Sequence, residues 1–317
     1  MPETSHPVEL SPPDISPYRK GNTGIDYVHS FRAAVPGPHV LVNALTHGNE
    51  ICGAIAVDFL FRHDLRPPKG TLTLGFANVA AYETFDAANP GASRFLDEDF
   101  NRVWSTETLD GPRQSTELAR AREMRAVIEQ ADYLLDLHSM QTPSQPLMLV
   151  HGHEKERRLA RRVGYPETVV CGPGHVKGLR MIEYGPFNDT ANDKTALLVE
   201  CGQHWQSGTA AVAIDTALYF LKALGVIEPS FADAHLTVNP PGEQRMLEVT
   251  DGVTARTDTF RFVERFTGLE EIPAAGTVIA TDGGQEITTP HDDCVLIMPS
   301  YHAEAGSRMV RFGRWIG

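Results

Sequence analysis

The segment NALTHGNE, residues 43–50, contains two side chains that could bind a metal ion. The imidazole of His47 and the carboxylate of Glu50 stand three residues apart, and zinc accepts both groups as ligands. The apolar run 39–45 predicts a strand, and residues 51–62 have the apolar spacing of a helix. The pair would therefore lie at a strand-to-helix turn, where open α/β sheets bind ligands. A turn histidine beside a helix N-terminus is the alternative interpretation.

Two further candidates follow other predicted strands. His138 comes directly after the apolar run 132–137, and Glu200 ends the run TALLVE at residues 195–200. Two histidines and one carboxylate would leave a fourth position on zinc for water, as a catalytic site requires. Because burying an unpaired charge is costly, a carboxylate at the end of a buried strand suggests a general base. A hydrogen-bonded histidine and a salt-bridged carboxylate are the alternatives.

The irregular segment 79–114 contains the third group of candidates, Arg94, Asn101 and Arg102. Long irregular segments inside compact domains are often functional. A guanidinium group suits the two-pronged binding of a carboxylate and the stabilisation of an oxyanion. Surface arginines are common, so this segment alone does not establish a site.

Composition restricts the class of protein. The chain has 317 residues, of which 41% are hydrophobic and 22% charged, so we expect one large domain and a smaller one. A formal charge of -13 argues against nucleic acid and anionic membrane surfaces as partners. Four widely spaced cysteines without a CxxC pair indicate single thiols in a reducing compartment. With no apolar leader and no transmembrane run, we expect a cytoplasmic protein.

Strands and helices alternate between residues 39 and 225, which predicts an α/β fold with a mostly parallel sheet flanked by helices. After residue 228, short β-rich runs separated by glycine turns predict a smaller C-terminal all-β domain. We therefore place the two domains at residues 1–228 and 229–317. Beyond the elements named above, the pattern predicts an edge strand at 26–35, strands at 71–78 and 147–150, and helices at 115–130 (with Ser115 as N-cap), 154–163 and 210–224.

Four motifs follow one another along the chain: His47-Gly48-Asn49-Glu50, the run SRFLDEDFNR at 93–102, Asp136-Leu137-His138 and Val199-Glu200-Cys201-Gly202. Taken in this order, they resemble the motifs of the succinylglutamate desuccinylase/aspartoacylase family, which belongs to the zinc carboxypeptidase-like superfamily. The resemblance spans about residues 38–205, and the β-rich tail fits the family's smaller C-terminal domain more loosely. The four motifs are specific together, whereas the HxxE pattern alone is not.

This resemblance implies a zinc site, with one Zn²⁺ ion per chain held by His47, Glu50 and His138. Glu200 would be the general base that activates the water and then protonates the leaving amine. Arg94 would polarise the scissile carbonyl and stabilise the oxyanion.

The resemblance implies less about the substrate end of the site, where Asn101 and Arg102 would bind a substrate carboxylate. The family has another carboxylate-binding arginine shortly before the catalytic glutamate, but residues 181–199 contain none, and Arg180 lies further away. Tyr184 and Tyr301 are candidates for the family's substrate-binding tyrosines, with a surface tyrosine as the alternative for Tyr301. Without this arginine, N-acetylaspartate is less well supported as the substrate. An N-acyl amino acid with a single carboxylate, or one with a different acyl group, is an equal alternative.

The predicted function is that of a zinc-dependent amidohydrolase. It would hydrolyse an N-acyl amino acid to a carboxylic acid and a free amino acid, as an aspartoacylase does. A metallocarboxypeptidase acting on a peptide C-terminus and a non-catalytic binding protein with a vestigial site are the alternatives. The expected partner is a small-molecule substrate, and the resemblance also admits a homodimer. Asp136 would either orient a ligand or lie in the core.

Overall fold

The computed structural model describes residues 6–174, 177–239 and 242–316. The helices within them are α1 (Ile51–Arg62), α2 (Val79–Tyr82), α3 (Thr106–Asp110), α4 (Thr116–Gln130), α5 (Glu154–Val163), α6 (Gly208–Leu224) and α7 (Pro229–His235). The strands are β1 (Val28–Arg32), β2 (His39–Ala44), β3 (Thr71–Phe76), β4 (Tyr133–Met140), β5 (Leu147–Val150), β6 (Thr168–Cys171), β7 (Thr195–Gln203), β8 (Arg245–Thr254), β9 (Arg261–Phe262), β10 (Glu270–Ile272), β11 (Val278–Asp282), β12 (Gln285–Thr288), β13 (Cys294–Ile297) and β14 (Arg308–Ile316).

One large sheet organises the fold, in the strand order β1-β3-β2-β4-β7-β5-β6-β8-β14-β13-β10. From β1 to β8, the β1–β3 and β7–β5 pairs are antiparallel, and the other neighbouring pairs are parallel. From β8 to β10 the strands are antiparallel. A second, antiparallel sheet has the order β12-β11-β9. The predicted α/β fold, with a mostly parallel sheet and a smaller β-rich part, is confirmed.

Helices cover both faces of the parallel strands, so these strands are apolar along most of their length. On β2, Val40 and Val42 pack into the same cluster as residues of α1 and α6, whereas Leu41 packs into the cluster of α4. The same alternation runs along β4 and β7. As a result, Leu134 of β4 and Leu198 of β7 pack into the hydrophobic cluster that includes α4.

Most of the predicted elements occur at or near their predicted bounds. Ser115 is the N-cap of α4, as predicted, because its hydroxyl accepts a hydrogen bond from the backbone N–H of Leu118 at 3.0 Å. The short strand β6 was not predicted. It pairs with β5 on one side and β8 on the other, and so joins the two parts of the large sheet.

The C-terminal strands have a hydrophobic cluster of their own, which includes Phe260, Ile279, Leu296 and Phe312. Their sheet is nevertheless continuous with the parallel strands through β6 and β8. The division of the chain into two domains between residues 228 and 229 stays a prediction. The first five residues of the N-terminal domain and residue 317 of the C-terminal domain lie outside the described residues. No helix in the described part of the chain has the length and apolar character needed to span a membrane.

Candidate active site

The turn between β2 and α1 contains Gly48, whose backbone is in close contact with two other segments of the chain. A Cβ atom on Gly48 would lie 2.4 Å from the carbonyl oxygen of Ser93 and 2.5 Å from the backbone nitrogen of Tyr82. The N–H of Gly48 donates to the carbonyl oxygen of Arg94 at 3.1 Å. The glycine therefore allows the loop that carries Arg94 to lie directly against the turn.

The side chains of His47, Glu50 and His138 converge at this turn. Each offers one ligand atom, and these atoms all lie within 4.8 Å of one another. Glu50 lies between the two imidazoles, with Oε1 2.7 Å from Nδ1 of His47 and Oε2 2.9 Å from Nδ1 of His138. All three residues are buried. Two imidazole nitrogens and a carboxylate are a donor set that fits zinc.

The other nitrogen of each imidazole faces an aspartate. Nε2 of His47 lies 2.9 Å from Oδ1 of Asp99, and Nε2 of His138 lies 2.7 Å from Oδ2 of Asp136. The side-chain amide of Asn43 donates to Oδ1 of Asp136 at 2.8 Å and holds that carboxylate in place. A carboxylate behind a ligating histidine fixes its tautomer and orientation. Of the two roles left open for Asp136, the structure favours orienting a candidate ligand.

The charges of these groups depend on one another. Burial by itself raises the pKa of Glu50, but the charges of His47 and His138 outweigh it and hold that pKa well below its usual range. Burial lowers the pKa of His138, but the carboxylates of Asp136 and Glu50 outweigh it and raise that pKa well above its usual range. A bound cation would take the place of these protons, because metal ligands must be deprotonated.

Glu200 lies beside this cluster, on strand β7. It is the register partner of His138 on the neighbouring parallel strand, and only 6% of its surface is exposed. Its Oε2 atom is buried and has no hydrogen-bond partner among the described residues. Burial raises the pKa of Glu200 to about 8. A buried carboxylate oxygen without a partner is costly, so a water molecule or substrate group is the expected partner.

The loop 94–102 brings two arginines and an asparagine to the cluster. Arg94 donates to Oε1 of Glu50 at 3.3 Å and forms an ion pair with Asp99 at 3.5 Å. Arg102 lies 3.9 Å from the same aspartate. The side-chain oxygen of Asn101 accepts the backbone N–H of residue 181 at 2.8 Å. All three predicted residues of this loop line one pocket with the metal-ligand candidates.

Helix α4 anchors this loop through Glu117, which is fully buried. Its carboxylate accepts the backbone N–H groups of Leu96 at 2.7 Å, Asp97 at 3.0 Å and Glu98 at 3.2 Å. It also accepts the side-chain amide of Asn78 at 3.1 Å. One buried carboxylate thus satisfies three consecutive loop N–H groups, which explains how a segment without long regular elements is held in position.

The pocket has a volume of about 310 Å³, at the small end of the range for small-molecule sites. Its lining includes His47, Glu50, His138 and Glu200 together with the three loop residues. The lining also includes polar and charged residues that the sequence did not predict, among them His204, Arg180, Arg308 and Arg311.

His204 follows Glu200 by four residues and reaches the same pocket. Its Nδ1 atom lies 2.8 Å from the hydroxyl of Ser139, the residue after His138. Burial lowers the pKa of His204 to about 3, so the imidazole is neutral at pH 7. Its position just after the Glu200 motif was the signal in the sequence that could have identified it.

The two predicted substrate-binding tyrosines are not among the described residues that line the pocket, and their role stays a prediction. The hydroxyl of Tyr184 donates to Glu129 at 2.5 Å and accepts from Arg125 at 2.7 Å. The hydroxyl of Tyr301 bonds to both the backbone N–H and the carbonyl of Phe266. Both hydroxyls therefore have partners elsewhere, and chain position alone does not reveal the direction of a side chain.

Several known proteins resemble this chain. The family model of the succinylglutamate desuccinylase/aspartoacylase catalytic domain matches residues 36–211. An N-acyl-aromatic-L-amino acid amidohydrolase (carboxylate-forming) of Homo sapiens is 32% identical over 113 residues, which are 33% of this chain and 34% of that protein. A probable aspartoacylase of Parasynechococcus marenigrum is 36% identical over 132 residues, which are 39% and 41% of the two chains. These two alignments span well under two thirds of the relatives' own lengths.

A longer match is the succinylglutamate desuccinylase of Burkholderia cenocepacia, which is 26% identical over 291 residues, 85% of this chain and 79% of that one. Among solved structures, the succinylglutamate desuccinylase/aspartoacylase of Rhodobacter sphaeroides superposes with a TM-score of 0.67 at 18% identity, over 92% and 89% of the two chains. That structural similarity shows a shared fold. With the family model covering more than half of its length, the chain belongs to the succinylglutamate desuccinylase/aspartoacylase family.

Proposed function

We propose that this chain is a zinc-dependent hydrolase of N-acyl amino acids that releases a carboxylic acid and a free amino acid. The observation that carries the proposal is the placement of Glu200. It is a buried carboxylate with one oxygen that has no partner in the described part of the chain, and it is paired in register with the ligand candidate His138. The family, and relatives whose names are those of amide hydrolases of acyl amino acids, support the reaction class.

In this proposal His47, Glu50 and His138 hold one zinc ion, with Asp99 and Asp136 behind the two histidines. When bound, zinc supplies Lewis acidity, which lowers the pKa of a water molecule and polarises a carbonyl group. Direct observation of the ion is the test of this assignment, since the residues show only that a metal would fit.

The remaining chemistry belongs to the chain's own side chains. Glu200 takes the proton from the attacking water and passes it to the leaving amine, a role for which a pKa near 8 is well matched at neutral pH. Arg94 lies within hydrogen-bond distance of the ligand cluster and stabilises the negative charge that develops on the carbonyl oxygen. Asn101 and Arg102 bind the carboxylate of the substrate from the pocket wall.

A metallocarboxypeptidase is the second candidate function, because the same metal and base would serve a peptide bond. A pocket of about 310 Å³ that includes residues 297–300 of the C-terminal strands and loops favours a small acylated amino acid instead. The proposed location stays the cytoplasm, and it rests on four cysteines that are all free and buried. A homodimer stays a prediction.

Two measurements test the proposal together. Mass spectrometry of the purified protein should find about one zinc per chain, and the His47→Ala variant should lose it. A panel of N-acetyl, N-succinyl and N-benzoyl amino acids should yield free amine, whereas peptides with free C-termini should not. Turnover of peptides but not of acyl amino acids would favour the carboxypeptidase, and a metal content unchanged by His47→Ala would contradict the ligand set.

A further inference from the structure

Four uncharged residues of the pocket lining lie together beside the metal-ligand candidates. They are Asn49, Ser139, His204 and Trp205, which we call the His204 group. The indole N–H of Trp205 donates to the backbone carbonyl of Asn49 at 3.2 Å, and the hydroxyl of Ser139 lies 2.8 Å from Nδ1 of His204. All four residues are buried, so the pocket meets neutral hydrogen-bonding groups here.

A β-bulge in β7 brings His204 to the pocket. The chain has one residue more between Glu200 and Gln203 on β7 than between their register partners on β4. Such an extra residue bends a strand and changes the direction of the side chains that follow it. Gly202 lies within the bulge with a φ of +121°, a conformation that other residues rarely adopt. The N–H of His204 then donates to the carbonyl of Met140 at 2.8 Å, so the backbone fixes the position of the imidazole.

Two polar atoms of the His204 group have no hydrogen-bond partner in the described part of the chain. One is the buried Oδ1 atom of Asn49. The other is Nε2 of His204, since the hydrogen bond of this ring to Ser139 uses Nδ1. A buried polar atom without a partner is costly, so a group of the substrate or a water molecule is the expected partner of both.

These atoms suit an uncharged ligand better than an anion. Burial lowers the pKa of His204 to about 3, so its imidazole brings no positive charge at pH 7. The Oδ1 atom of Asn49 is an acceptor and would repel a carboxylate. Arg94 also lines the pocket, but its guanidinium group is already paired with Glu50 at 3.3 Å and with Asp99 at 3.5 Å. A carboxylate placed against the His204 group would therefore lose water without gaining a free counter-charge.

The proposed carboxylate-binding pair, Asn101 and Arg102, is held on the other side of Glu200. The side-chain oxygen of Asn101 accepts the backbone N–H of residue 181, in the segment that follows β6. The His204 group takes two of its members from the turn after β2 and from β4. In the strand order β2-β4-β7-β5-β6, strand β7 with Glu200 lies between these two places. A substrate with its carboxylate at Arg102 and its amide at Glu200 therefore directs its acyl group towards the His204 group.

We propose that the His204 group binds the acyl group of the substrate and that His204 makes this end of the pocket selective for acyl groups without charge. This inference rests on the proposed deacylase function and narrows its substrates to amino acids with an uncharged N-acyl group. It concerns the acyl group alone and leaves the side chain of the amino acid open.

The first test isolates the charge of the acyl group from its size. The N-succinyl and N-succinamoyl derivatives of one amino acid have the same shape, but an amide replaces the terminal carboxylate in the second. The amino acid is the one whose N-acetyl derivative the wild type cleaves best. We expect kcat/KM of the wild type to be at least about tenfold higher on the succinamoyl derivative. Equal values, or a preference for the succinyl derivative, would overturn the inference.

The second test gives this end of the pocket a charge. His204→Arg introduces a guanidinium group that stays charged when buried, and the ratio of kcat/KM for succinyl over succinamoyl should rise at least about tenfold. His204→Gln keeps the position neutral and should keep the ratio of the wild type even where the rate falls. His63→Gln, which removes an exposed histidine, should change neither the ratio nor the rate.

An unchanged ratio in His204→Arg, with a circular dichroism spectrum like that of the wild type, would show that His204 does not face the acyl group and would overturn its role. If this variant does not fold, the comparison of the two substrates in the wild type and in His204→Gln still decides. A ratio in His204→Gln that shifts towards the succinyl derivative would contradict selection by charge.

Binding measurements separate failure of this inference from failure of the deacylase function. Isothermal titration calorimetry on Glu200→Gln needs no turnover. We expect this variant to bind the succinamoyl derivative at least about tenfold more tightly than the succinyl derivative, and the further change His204→Arg to remove that difference. If the wild type hydrolyses no acyl amino acid but this difference appears, the deacylase proposal fails and the selectivity of the His204 group stands. Equal affinities for the two derivatives would overturn that selectivity whatever the enzyme hydrolyses.

Discussion

His138 on β4 and Glu200 on β7 are register partners in neighbouring parallel strands. Side chains of such partners lie on the same face of a sheet, and the strands are about 4.8 Å apart. The backbone hydrogen bonds of the sheet therefore place the proposed base beside a proposed metal ligand. A loop would not hold this separation as firmly, because loops move more than the strands they connect.

The first prediction concerns this base. Glu200→Gln keeps the size of the side chain but removes its capacity to accept a proton. We expect kcat for a cleaved acyl amino acid to fall roughly 10²- to 10⁴-fold, as is typical for loss of a general base. Zinc content should stay at the wild-type level, because Glu200 is not among the ligand candidates. An activity close to that of the wild type would contradict the assignment of Glu200 as the base.

The second prediction concerns the aspartate behind His138. Asp136→Asn removes the negative charge 2.7 Å from Nε2 of His138 but preserves shape. We expect zinc affinity to fall about 10- to 100-fold, because the carboxylate orients the imidazole and raises its basicity. Competition with a zinc chelator measures this affinity.

The control for Asp136 is Asp64→Asn, at an exposed position with positive φ where asparagine is well tolerated. It should bind zinc like the wild type. If Asp136→Asn also does so, Asp136 is a residue of the core and does not orient the ligand.

The third prediction concerns the loop that carries Arg94. In Glu117→Gln, an amide NH₂ group replaces one of the two carboxylate oxygens that accept the loop N–H groups. The amide is itself a donor, so at least one loop N–H group loses its acceptor. We expect the free energy of unfolding to fall by about 1–3 kcal/mol, the usual effect of an unsatisfied buried group. Because the loop would then be less firmly held, kcat/KM should fall as well.

Urea denaturation and steady-state kinetics measure these two effects of Glu117→Gln. Glu123→Gln, on the exposed side of the same helix, is the matched control and should change stability by less than about 0.5 kcal/mol. Full stability in Glu117→Gln would mean that the loop is held by other contacts.

The fourth prediction concerns pH and Glu183. Burial by itself raises the pKa of Glu183, but the hydrogen bonds and charges of His151 and Arg180 outweigh it and hold that pKa well below its usual range. The contribution of Glu183 to stability is therefore fully present above the unfolded pKa of about 4.3 and is lost as pH falls towards the folded value. The same contact raises the pKa of His151, so the contribution of that pair is lost as pH rises through the raised histidine pKa. The difference in unfolding free energy between wild type and Glu183→Gln should therefore be largest near pH 5 and shrink below about pH 4.

Chemical denaturation at pH 7, 5 and 3.5 measures that difference. Glu154→Gln removes an exposed glutamate from α5 and should show no such dependence. A difference between wild type and Glu183→Gln that grows as the pH falls from 5 to 3.5 would contradict the prediction.

The fold and the turn that carries the ligand candidates His47 and Glu50 could be predicted from the sequence, because both depend on local patterns. An apolar run such as β2, followed by the spacing of α1, marks a strand-to-helix turn wherever it occurs. His47 and Glu50 lie within that one turn, so their proximity needs no other part of the chain. Strand β6 was not predicted, although β5 has the same length of four residues and was predicted. The place of β6 in the sheet depends on its pairing with β8, a segment far along the chain, and a local pattern does not reveal that pairing.

The order of apolar runs and polar residues in the chain was enough to select His47, Glu50, His138 and Glu200, although His138 and Glu200 lie within β4 and β7 and not at their ends. Which other residues line the pocket could not be read from the chain and emerged from the folded structure. Side-chain direction and strand register depend on contacts between distant segments, which is why Tyr184 is directed to α4. A bulge in β14 brings Arg311 to the pocket for the same reason, since its position is defined by pairing with β8 and not by its neighbours in the chain.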